Sequence, residues 1–182
     1  MGFHTFDASQ AERLDDVSRF RFCSREELLQ HLPRDGRILD LGSGTGFYTG
    51  EIAPFVDSVL ALDVQQEMHE FHRKNGMEPN VVPVTAEAEA LPLTADTADG
   101  AFSTMTFHES TTPASLAELH RVLAPGAPLV VVDWSAEGNG ESGPPRSERF
   151  DASRARDLLG DAGFTVEFAA ERSETFATLA RA

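Results

Sequence analysis

Short apolar runs alternate along this chain with segments of helical periodicity. The apolar, β-branched runs predict seven strands, at Arg37–Leu41, Ser58–Asp63, Val81–Thr85, Gly100–Thr104, 128–133, 165–170 and 175–180. Helical patterns lie between them, over residues 46–53, 66–75, 113–123 and 153–162. Strands that alternate with helices are typical of an α/β fold, in which helices cover both faces of a mostly parallel sheet.

Turn and cap residues mark the ends of these elements. Thr112 followed by Pro113 predicts the start of one helix, and Gly163 predicts the end of the next. Only residues 171–174 separate the last two strands. A connection that short predicts an antiparallel hairpin, so that one strand runs against the common direction of the sheet.

Two further helical patterns, over residues 8–20 and 24–32, precede the first strand. The first is polar and weakly periodic, which indicates a flap rather than a core helix. We therefore expect a single domain of residues 1–182, with a helical cap over 1–35 and a core over 36–182. The Gly/Pro/Ser-rich loop 136–148 is either a functional lid or a disordered segment.

The net charge of the chain limits the kinds of partner that it can bind. The chain has thirty acidic and fifteen basic residues, which gives a formal net charge of −15. Lys74 is the one lysine. A surface this negative repels phosphate backbones, so we expect no nucleic-acid partner. A halophilic source and an ordinary acidic cytosolic protein both fit this composition.

Cysteine usage and hydropathy bear on where the protein works. Cys23 is the one cysteine, which excludes an internal disulfide and fits a reducing compartment. The N-terminus carries no apolar signal-peptide core, and no run of 18 apolar residues occurs. These features predict a cytoplasmic protein without a membrane partner. The oligomeric state stays open, and a homodimer is compatible with the sequence.

A glycine-rich turn follows the first predicted strand, in the sequence ILDLGSGTG at residues 38–46. Gly42, Gly44 and Gly46 remove side chains where the backbone turns into a helix and approaches a ligand. A dinucleotide fingerprint would have its third glycine at position 47, which is Phe47, and no Lys-Ser/Thr pair follows for a P-loop. The turn is therefore either purely structural or part of a site for another nucleoside cofactor.

Asp63 ends the next strand, 21 residues after Gly42. At this place an α/β sheet presents a carboxylate to the two hydroxyl groups of a ribose. The alternative is that Asp63 only caps the following helix. The glycine turn favours the first interpretation.

Four segments, in order, resemble the class I S-adenosylmethionine-dependent methyltransferases, in particular the small-molecule type typified by the ubiquinone/menaquinone-biosynthesis C-methyltransferases. ILDLGSGTG and LALDV resemble the first two motifs of the family. AEAEALPL resembles the family segment G-D-A-x-x-L-P-F, and LAELHRVLAPGAPLVVVDW resembles E-x-x-R-V-L-K-P-G-G with the strand after it. The resemblance covers about residues 36–164. It implies a Rossmann-like three-layer sandwich with a seven-stranded, mostly parallel sheet whose last strand is antiparallel.

The resemblance also implies S-adenosylmethionine as the cofactor and assigns residues to its methionine end. Asp40 and the backbone around the turn would hold the amino and carboxylate groups. The turn residues concerned are Gly42, Ser43, Gly44 and Gly46.

The adenosine end is assigned in the same way. Asp63 would bind the ribose, and Val64 would pack on the adenine face. Glu87 stands where the family usually has Asp and would reach the adenine amino group, while the Ala88 amide would reach a ring nitrogen. Thr104 falls near the position that faces the sulfonium.

Candidate catalytic chemistry lies after the fourth strand. Methyl transfer needs alignment and exclusion of water, and it needs a general base only when the nucleophile arrives protonated. His108 is the candidate base because it follows a strand at the carboxyl edge of the sheet. A structural hydrogen bond is the alternative for His108, and Glu109 either orients the ring or is solvated.

The predicted substrate pocket consists of Tyr48, Phe107, Glu109 and Trp134. Tyr48 and Trp134 have a structural alternative, since each suits a buried core position. His69 and His72 stand three residues apart without a third ligand in register, so we predict no metal site.

These features predict a methyltransferase that acts on a small molecule. The alternative is a cofactor-binding regulatory or scaffold module of the same fold without transfer activity. An open cavity lined by Phe107, His108 and Trp134 would favour catalysis, and a filled one would favour binding alone. An NAD-dependent oxidoreductase is disfavoured by Phe47.

Overall fold

Seven strands form one sheet in the computed structural model, which describes residues 8–182. They are β1 (Arg37–Leu41), β2 (Ser58–Asp63), β3 (Val81–Thr85), β4 (Gly100–Thr104), β5 (Pro128–Trp134), β6 (Thr165–Glu171) and β7 (Thr175–Arg181). Their order across the sheet is β3-β2-β1-β4-β5-β7-β6. The pairs among β1 to β5 are parallel, and β7 runs antiparallel between β5 and β6. The predicted sheet and hairpin are confirmed, with β5, β6 and β7 each one residue longer than predicted.

Six α-helices accompany the sheet within the described range. They are α1 (Arg25–Leu29), α2 (Phe47–Ile52), α3 (Gln66–Lys74), α4 (Phe107–Ser110), α5 (Pro113–Val122) and α6 (Ala152–Asp161). Short 3₁₀ helices lie at Ala8–Asp15, Val17–Arg21, Ala53–Phe55 and Arg146–Glu148. α4 was not predicted, because one helical turn leaves no periodic pattern in the sequence. No helix among these residues is long and apolar enough to cross a bilayer.

The helix ends follow the predicted cap chemistry. The Thr112 hydroxyl accepts the Ser115 N–H, Ser115 reciprocates at the Thr112 N–H, and Pro113 takes the first helical position of α5. Gly163, with φ of +100°, follows the C-cap residue Ala162 of α6, where a left-handed residue ends the helix.

The N-terminal segment departs from the prediction of one helix over residues 8–20. Two 3₁₀ helices occur instead, and Asp16 separates them. The Asp16 carboxylate accepts the Ser18 N–H at 2.8 Å from an extended backbone conformation, which ends one turn and caps the next. Residues 1–7 of the predicted cap lie outside the described range.

Two apolar clusters lie on opposite faces of the sheet. Alternate residues of β1 divide between them, since Leu39 and Leu41 enter one cluster and Ile38 enters the other. α5 and α6 bury their apolar faces against the first cluster, whereas α1 and α2 cover the second. This arrangement gives three layers, and the carboxyl ends of β1, β2, β4 and β5 meet at one edge.

Candidate active site

A cavity of about 630 Å³ opens at this edge of the sheet. One part, called here the glycine-turn half, is lined by residues that follow β1, β2 and β3: Gly42, Ser43, Gly44, Asp63, Val64, Glu87 and Ala88. The other part, the His108 half, is lined by residues that follow β4 and β5: His108, Glu109, Trp134, Gly143 and Pro144. Thr104, at the end of β4, also lines the cavity. Gly143 and Pro144 were not predicted as site residues; the others in these two sets were, and their contacts with a ligand stay predictions.

The glycine turn is tied to the end of β2 by its own backbone. The N–H groups of Gly42 and Ser43 donate to the Leu62 carbonyl at 2.9 and 2.8 Å. The Gly44 N–H donates to Asp63 Oδ2 at 2.9 Å. Because these three amides already have protein acceptors, they are not available to a ligand carboxylate, contrary to the expectation for the turn backbone.

Gly42 and Gly46 both need to be glycine, but they pack against different parts of the molecule. A Cβ at Gly42, where φ is +76°, would lie 2.2 Å from Thr106 Cγ2 at the cavity wall. A Cβ at Gly46, where φ is +88°, would lie 2.3 Å from the His72 ring. Gly46 packs against α3 and does not line the cavity, so its predicted contact with the cofactor is corrected to a packing role.

Asp63 joins the turn to the cavity. Its Oδ1 accepts the Gln65 N–H at 2.8 Å, while Oδ2 accepts that of Gly44. Each carboxylate oxygen can accept a second hydrogen bond, so the side chain still has capacity for a diol. Burial raises the pKa of Asp63, although the two amides oppose that shift. Val64 beside it is 46 % exposed, which leaves an apolar surface for a flat ring.

Asp40 lies beneath the turn, and it does not line the cavity. It is 1 % exposed, and its Oδ2 accepts the Thr49 hydroxyl at 2.5 Å. Burial raises the pKa of Asp40 to about 7. The predicted direct contact between Asp40 and the methionine ammonium is therefore not supported by its position.

Orphaned polar atoms beside the turn test whether a polar ligand fits. Asp40 Oδ1 and Ser43 Oγ are buried and have no hydrogen-bond partner among the described residues. Buried polar atoms are normally paired, so these two call for a partner from a ligand or from ordered water. Ser43 lines the cavity, and its hydroxyl is the donor or acceptor that the turn itself offers to a polar ligand.

His108 is held by Asp133. Its Nδ1 lies 2.9 Å from both carboxylate oxygens, and its own backbone N–H donates to Oδ2 at 2.6 Å. Asp133 is fully buried and also accepts the Trp134 N–H at 2.7 Å. A carboxylate on Nδ1 fixes the ring and leaves Nε2 as the basic nitrogen. Asp133, rather than Glu109, orients the ring, which corrects the alternative considered for Glu109.

The charges around His108 are coupled. Burial disfavours the imidazolium, but the hydrogen bond and charge of Asp133, together with the charge of Glu109, outweigh it and raise the pKa of His108. Glu109 Oε1 lies 3.7 Å from His108 Nε2. Burial raises the pKa of Glu109 to about 7, against the opposing effect of His108.

Trp134 lines the cavity together with part of loop 136–148. Its ring meets Phe22 edge-on at 4.7 Å. Gly143, with φ of +83°, crosses the indole so closely that a Cβ would lie 2.5 Å from Cδ2. This contact places Gly143 and Pro144 in the cavity wall.

Arg149 organises the same loop from within. It is 8 % exposed, and its guanidinium donates to the carbonyls of Pro144, Ser135 and Ser142. Sequence reasoning missed this role. The available signal was a pair of arginines, Arg146 and Arg149, at the end of a Gly/Pro-rich segment, because the five donors of an arginine can satisfy loop carbonyls.

Phe107 and Tyr48 differ from their predicted roles in the substrate pocket. Phe107 is 1 % exposed and packs in the core against Phe150 and Phe176, so its placement in the pocket is corrected. Tyr48 lines the cavity, but its hydroxyl lies 3.1 and 3.0 Å from the carbonyls of Arg19 and Cys23. Tyr48 therefore anchors the N-terminal segment.

The histidines of α3 are buried together. Burial lowers the pKa of both His69 and His72. Within residues 8–182, no group of three His, Cys, Asp or Glu side chains could hold a metal ion.

Comparison with known proteins identifies the family. The profile of the methyltransferase domain family matches residues 39–131. A ubiquinone/menaquinone biosynthesis C-methyltransferase of Shewanella frigidimarina is 31 % identical over 149 residues, which cover 73 % of this chain and 57 % of the relative. The bifunctional biotin biosynthesis protein BioHC of Cellvibrio japonicus is 36 % identical over 121 residues, which cover 64 % and 24 %. The chain thus spans about a quarter to somewhat over half of these curated relatives.

A solved structure extends the similarity over nearly the whole chain. The structure of a SAM-dependent methyltransferase from Aquifex aeolicus superposes with a TM-score of 0.87 at 33 % identity. The match covers 97 % of this chain and 99 % of that one. The family match and this superposition agree with the motifs and the sheet order. The chain belongs to the methyltransferase domain family, among the class I S-adenosylmethionine-dependent methyltransferases.

Proposed function

We propose that this protein transfers the methyl group of S-adenosylmethionine to a small-molecule acceptor that gives up a proton to His108. The observation that carries the proposal is the His108–Asp133 pair, which faces the same cavity as Asp63 and Ser43. A nucleoside site and a positioned base in one cavity are what transfer to a protonated nucleophile requires.

Different residues of the cavity would bind the donor, remove the acceptor proton and exclude water. Asp63 would accept the ribose hydroxyls, and Val64, Glu87 and Ala88 would surround the adenine. S-adenosylmethionine would supply a methyl group on a cationic sulfur, which an acceptor displaces in line. His108 Nε2 would take the acceptor proton, and Asp133 would stabilise the resulting imidazolium. Trp134 and Pro144 would exclude water from the reacting atoms.

The geometry supports catalysis over a binding-only module. The cavity extends to His108, Glu109 and Trp134, so an acceptor in it can reach the base. The net charge of −15 disfavours a nucleic-acid acceptor, and the free, buried Cys23 fits work in the reducing cytoplasm. These arguments favour a small metabolite as the acceptor and leave a homodimer compatible.

The experiment is a transfer assay with methyl-labelled S-adenosylmethionine over a panel of phenols, enols, carboxylic acids, thiols and amines. Labelled product and S-adenosylhomocysteine should form together. For an acceptor found in this way, His108→Asn should lower kcat by about 10²- to 10⁴-fold, because it removes the base. Its affinity for S-adenosylmethionine, measured by calorimetry, should be retained.

His120→Asn is the matched control, since His120 packs on the Phe164 ring in α5 outside the cavity wall. Its kcat should stay near that of the wild-type protein. Donor binding without transfer to any acceptor class would contradict the proposal and favour a binding module. Full activity of His108→Asn would exclude His108 as the base.

A further inference from the structure

The two N-terminal 3₁₀ helices, Ala8–Asp15 and Val17–Arg21, form a strap across the glycine turn. Leu14 Cδ1 lies 3.3 Å from the point where a Cβ of Gly44 would stand. Asp15 accepts the Thr45 hydroxyl at 2.5 Å and the Asn75 amide at 2.8 Å. The strap therefore covers the part of the cavity where the methionine end of the donor is expected.

Arg19 brings a positive charge to this place. Its guanidinium carbon stands 5.2 Å from the ring centre of Phe47 and 5.0 Å from that of Tyr48. Nη1 donates to the Leu14 carbonyl at 2.6 Å, and Nη2 lies 3.7 Å from Met105 Sδ. The guanidinium is thus held over the start of α2 and lines the cavity.

Arg19 lacks an ionic partner among the side chains that the structure describes. No carboxylate of that set lies within 4.0 Å of its guanidinium, although the protein carries twice as many acids as bases. Burial lowers the pKa of Arg19, yet an arginine side chain stays charged. The charges of Asp40 and Asp15 oppose that shift from beyond 4.0 Å. A half-buried guanidinium with no carboxylate in contact, facing a cavity, can therefore take an anionic ligand.

The backbone amides of the glycine turn are not free to bind a ligand carboxylate. The N–H groups of Gly42, Ser43 and Gly44 already donate to Leu62 and Asp63. A carboxylate at the turn would meet no free amide of these three residues and would lie near the buried acid Asp40. Arg13 and Arg19 of the strap both line the cavity, and Arg19 is the one held over the start of α2, directly after the turn, where it offers both charge and paired donors.

We infer that Arg19 is the counter-ion of the amino-acid carboxylate of the donor, and that donor binding through Arg19 fastens the strap over the glycine turn. The inference rests on the proposed function, because it takes S-adenosylmethionine as the ligand. It assigns to the strap a carboxylate contact that the sequence motifs placed on the turn backbone.

The test compares S-adenosylmethionine with decarboxylated S-adenosylmethionine, which keeps the sulfonium and the ammonium and lacks the carboxylate. Calorimetry on the full chain should show a preference for the carboxylated ligand of about ten- to hundredfold. Arg19→Gln should bring this ratio close to one by weakening S-adenosylmethionine alone. Arg19→Lys should keep part of the preference, because it keeps the charge and loses the paired donors.

Arg21→Gln is the matched control, since Arg21 belongs to the same 3₁₀ helix but bonds to Ser142 and does not line the cavity. Its ligand ratio should equal that of the unchanged protein. An unchanged ratio in Arg19→Gln, or an equal loss for both ligands, would overturn the assignment and leave Arg19 with an acceptor or packing role. Failure of the unchanged protein to bind either ligand would instead overturn the proposed function.

Discussion

The two halves of the cavity are built in different ways. The glycine-turn half is made mainly from residues 42–64, which are close in sequence, and the turn amides donate to the Leu62 carbonyl and to the Asp63 carboxylate. The His108 half brings together residues after β4, Trp134 and the loop 136–148, and side chains of Asp133 and Arg149 hold it in place. Under the proposed function, donor recognition thus depends on the connectivity of the sheet, whereas acceptor recognition depends on a few buried side chains.

The largest of the following effects should come from removing the Asp63 carboxylate in the glycine-turn half, which should weaken donor binding. Asp63→Ala should weaken S-adenosylmethionine binding by about ten- to hundredfold, because the diol and the amides of Gly44 and Gln65 all lose their acceptor. Calorimetry measures the dissociation constant. Asp57→Ala, at an exposed turn before β2, should leave it unchanged. Equal affinities for the two variants would mean that Asp63 does not bind the ribose.

A substitution in the His108 half should raise the KM for the acceptor and leave the affinity for the donor unchanged. Gly143→Ala places a methyl group against Trp134, so we expect the loop to shift and the KM for the acceptor to rise. Unfolding with urea should show a loss of about 1–2 kcal/mol from the left-handed backbone alone. Donor affinity should not change.

Gly126→Ala is the control for this variant. Gly126 has nearly the same φ, +79°, but a Cβ at this position would meet open space, with no described atom beyond its chain neighbours within 4 Å. The variant should lose a similar amount of stability and keep the KM. If both variants raise the KM alike, the contact with Trp134 does not shape the acceptor site.

The smallest expected effect concerns the charge beside the base. The Glu109 carboxylate helps to raise the pKa of His108, so Glu109→Gln should lower that pKa. Because the base acts when it is neutral, the acid limb of kcat/KM should move to lower pH. The shift should be modest, since Glu109 itself has a pKa of about 7 and is partly protonated in this range.

A pH–rate profile with the acceptor from the transfer assay, measured beside Glu137→Gln, checks this prediction. Glu137 is exposed on the loop, so its variant should keep the original limb. A limb that stays in place in Glu109→Gln would show that another group sets the acid side of the profile.

The sequence predicted the sheet and the glycine-turn half because their signals are local. Alternating apolar runs define the strands, and Gly42 and Asp63 occupy places set by strand ends. The match to family motifs added S-adenosylmethionine. The position of Asp40 beneath the turn was not predicted, because spacing along β1 does not tell which atoms lie above the turn and which lie beneath it.

The His108 half was predicted only in part, because its pairings are not local. His108 was identified from its position after a strand, but its partner Asp133 lies 25 residues further along the chain. Phe107 was assigned to the pocket although the helical turn of α4 directs it into the core. Arg19 carried no motif, and only the packing of the strap brings it to the cavity.

The pairing of Ser135 with Phe150 has a consequence for how this protein can diversify. That bridge brings the two ends of loop 136–148 together. The entropy of closing a loop grows only with the logarithm of its length, so insertions there cost little stability. Relatives could therefore exchange this segment as a unit and change the shape of the His108 half of the cavity, while the sheet and the glycine-turn half stay as they are.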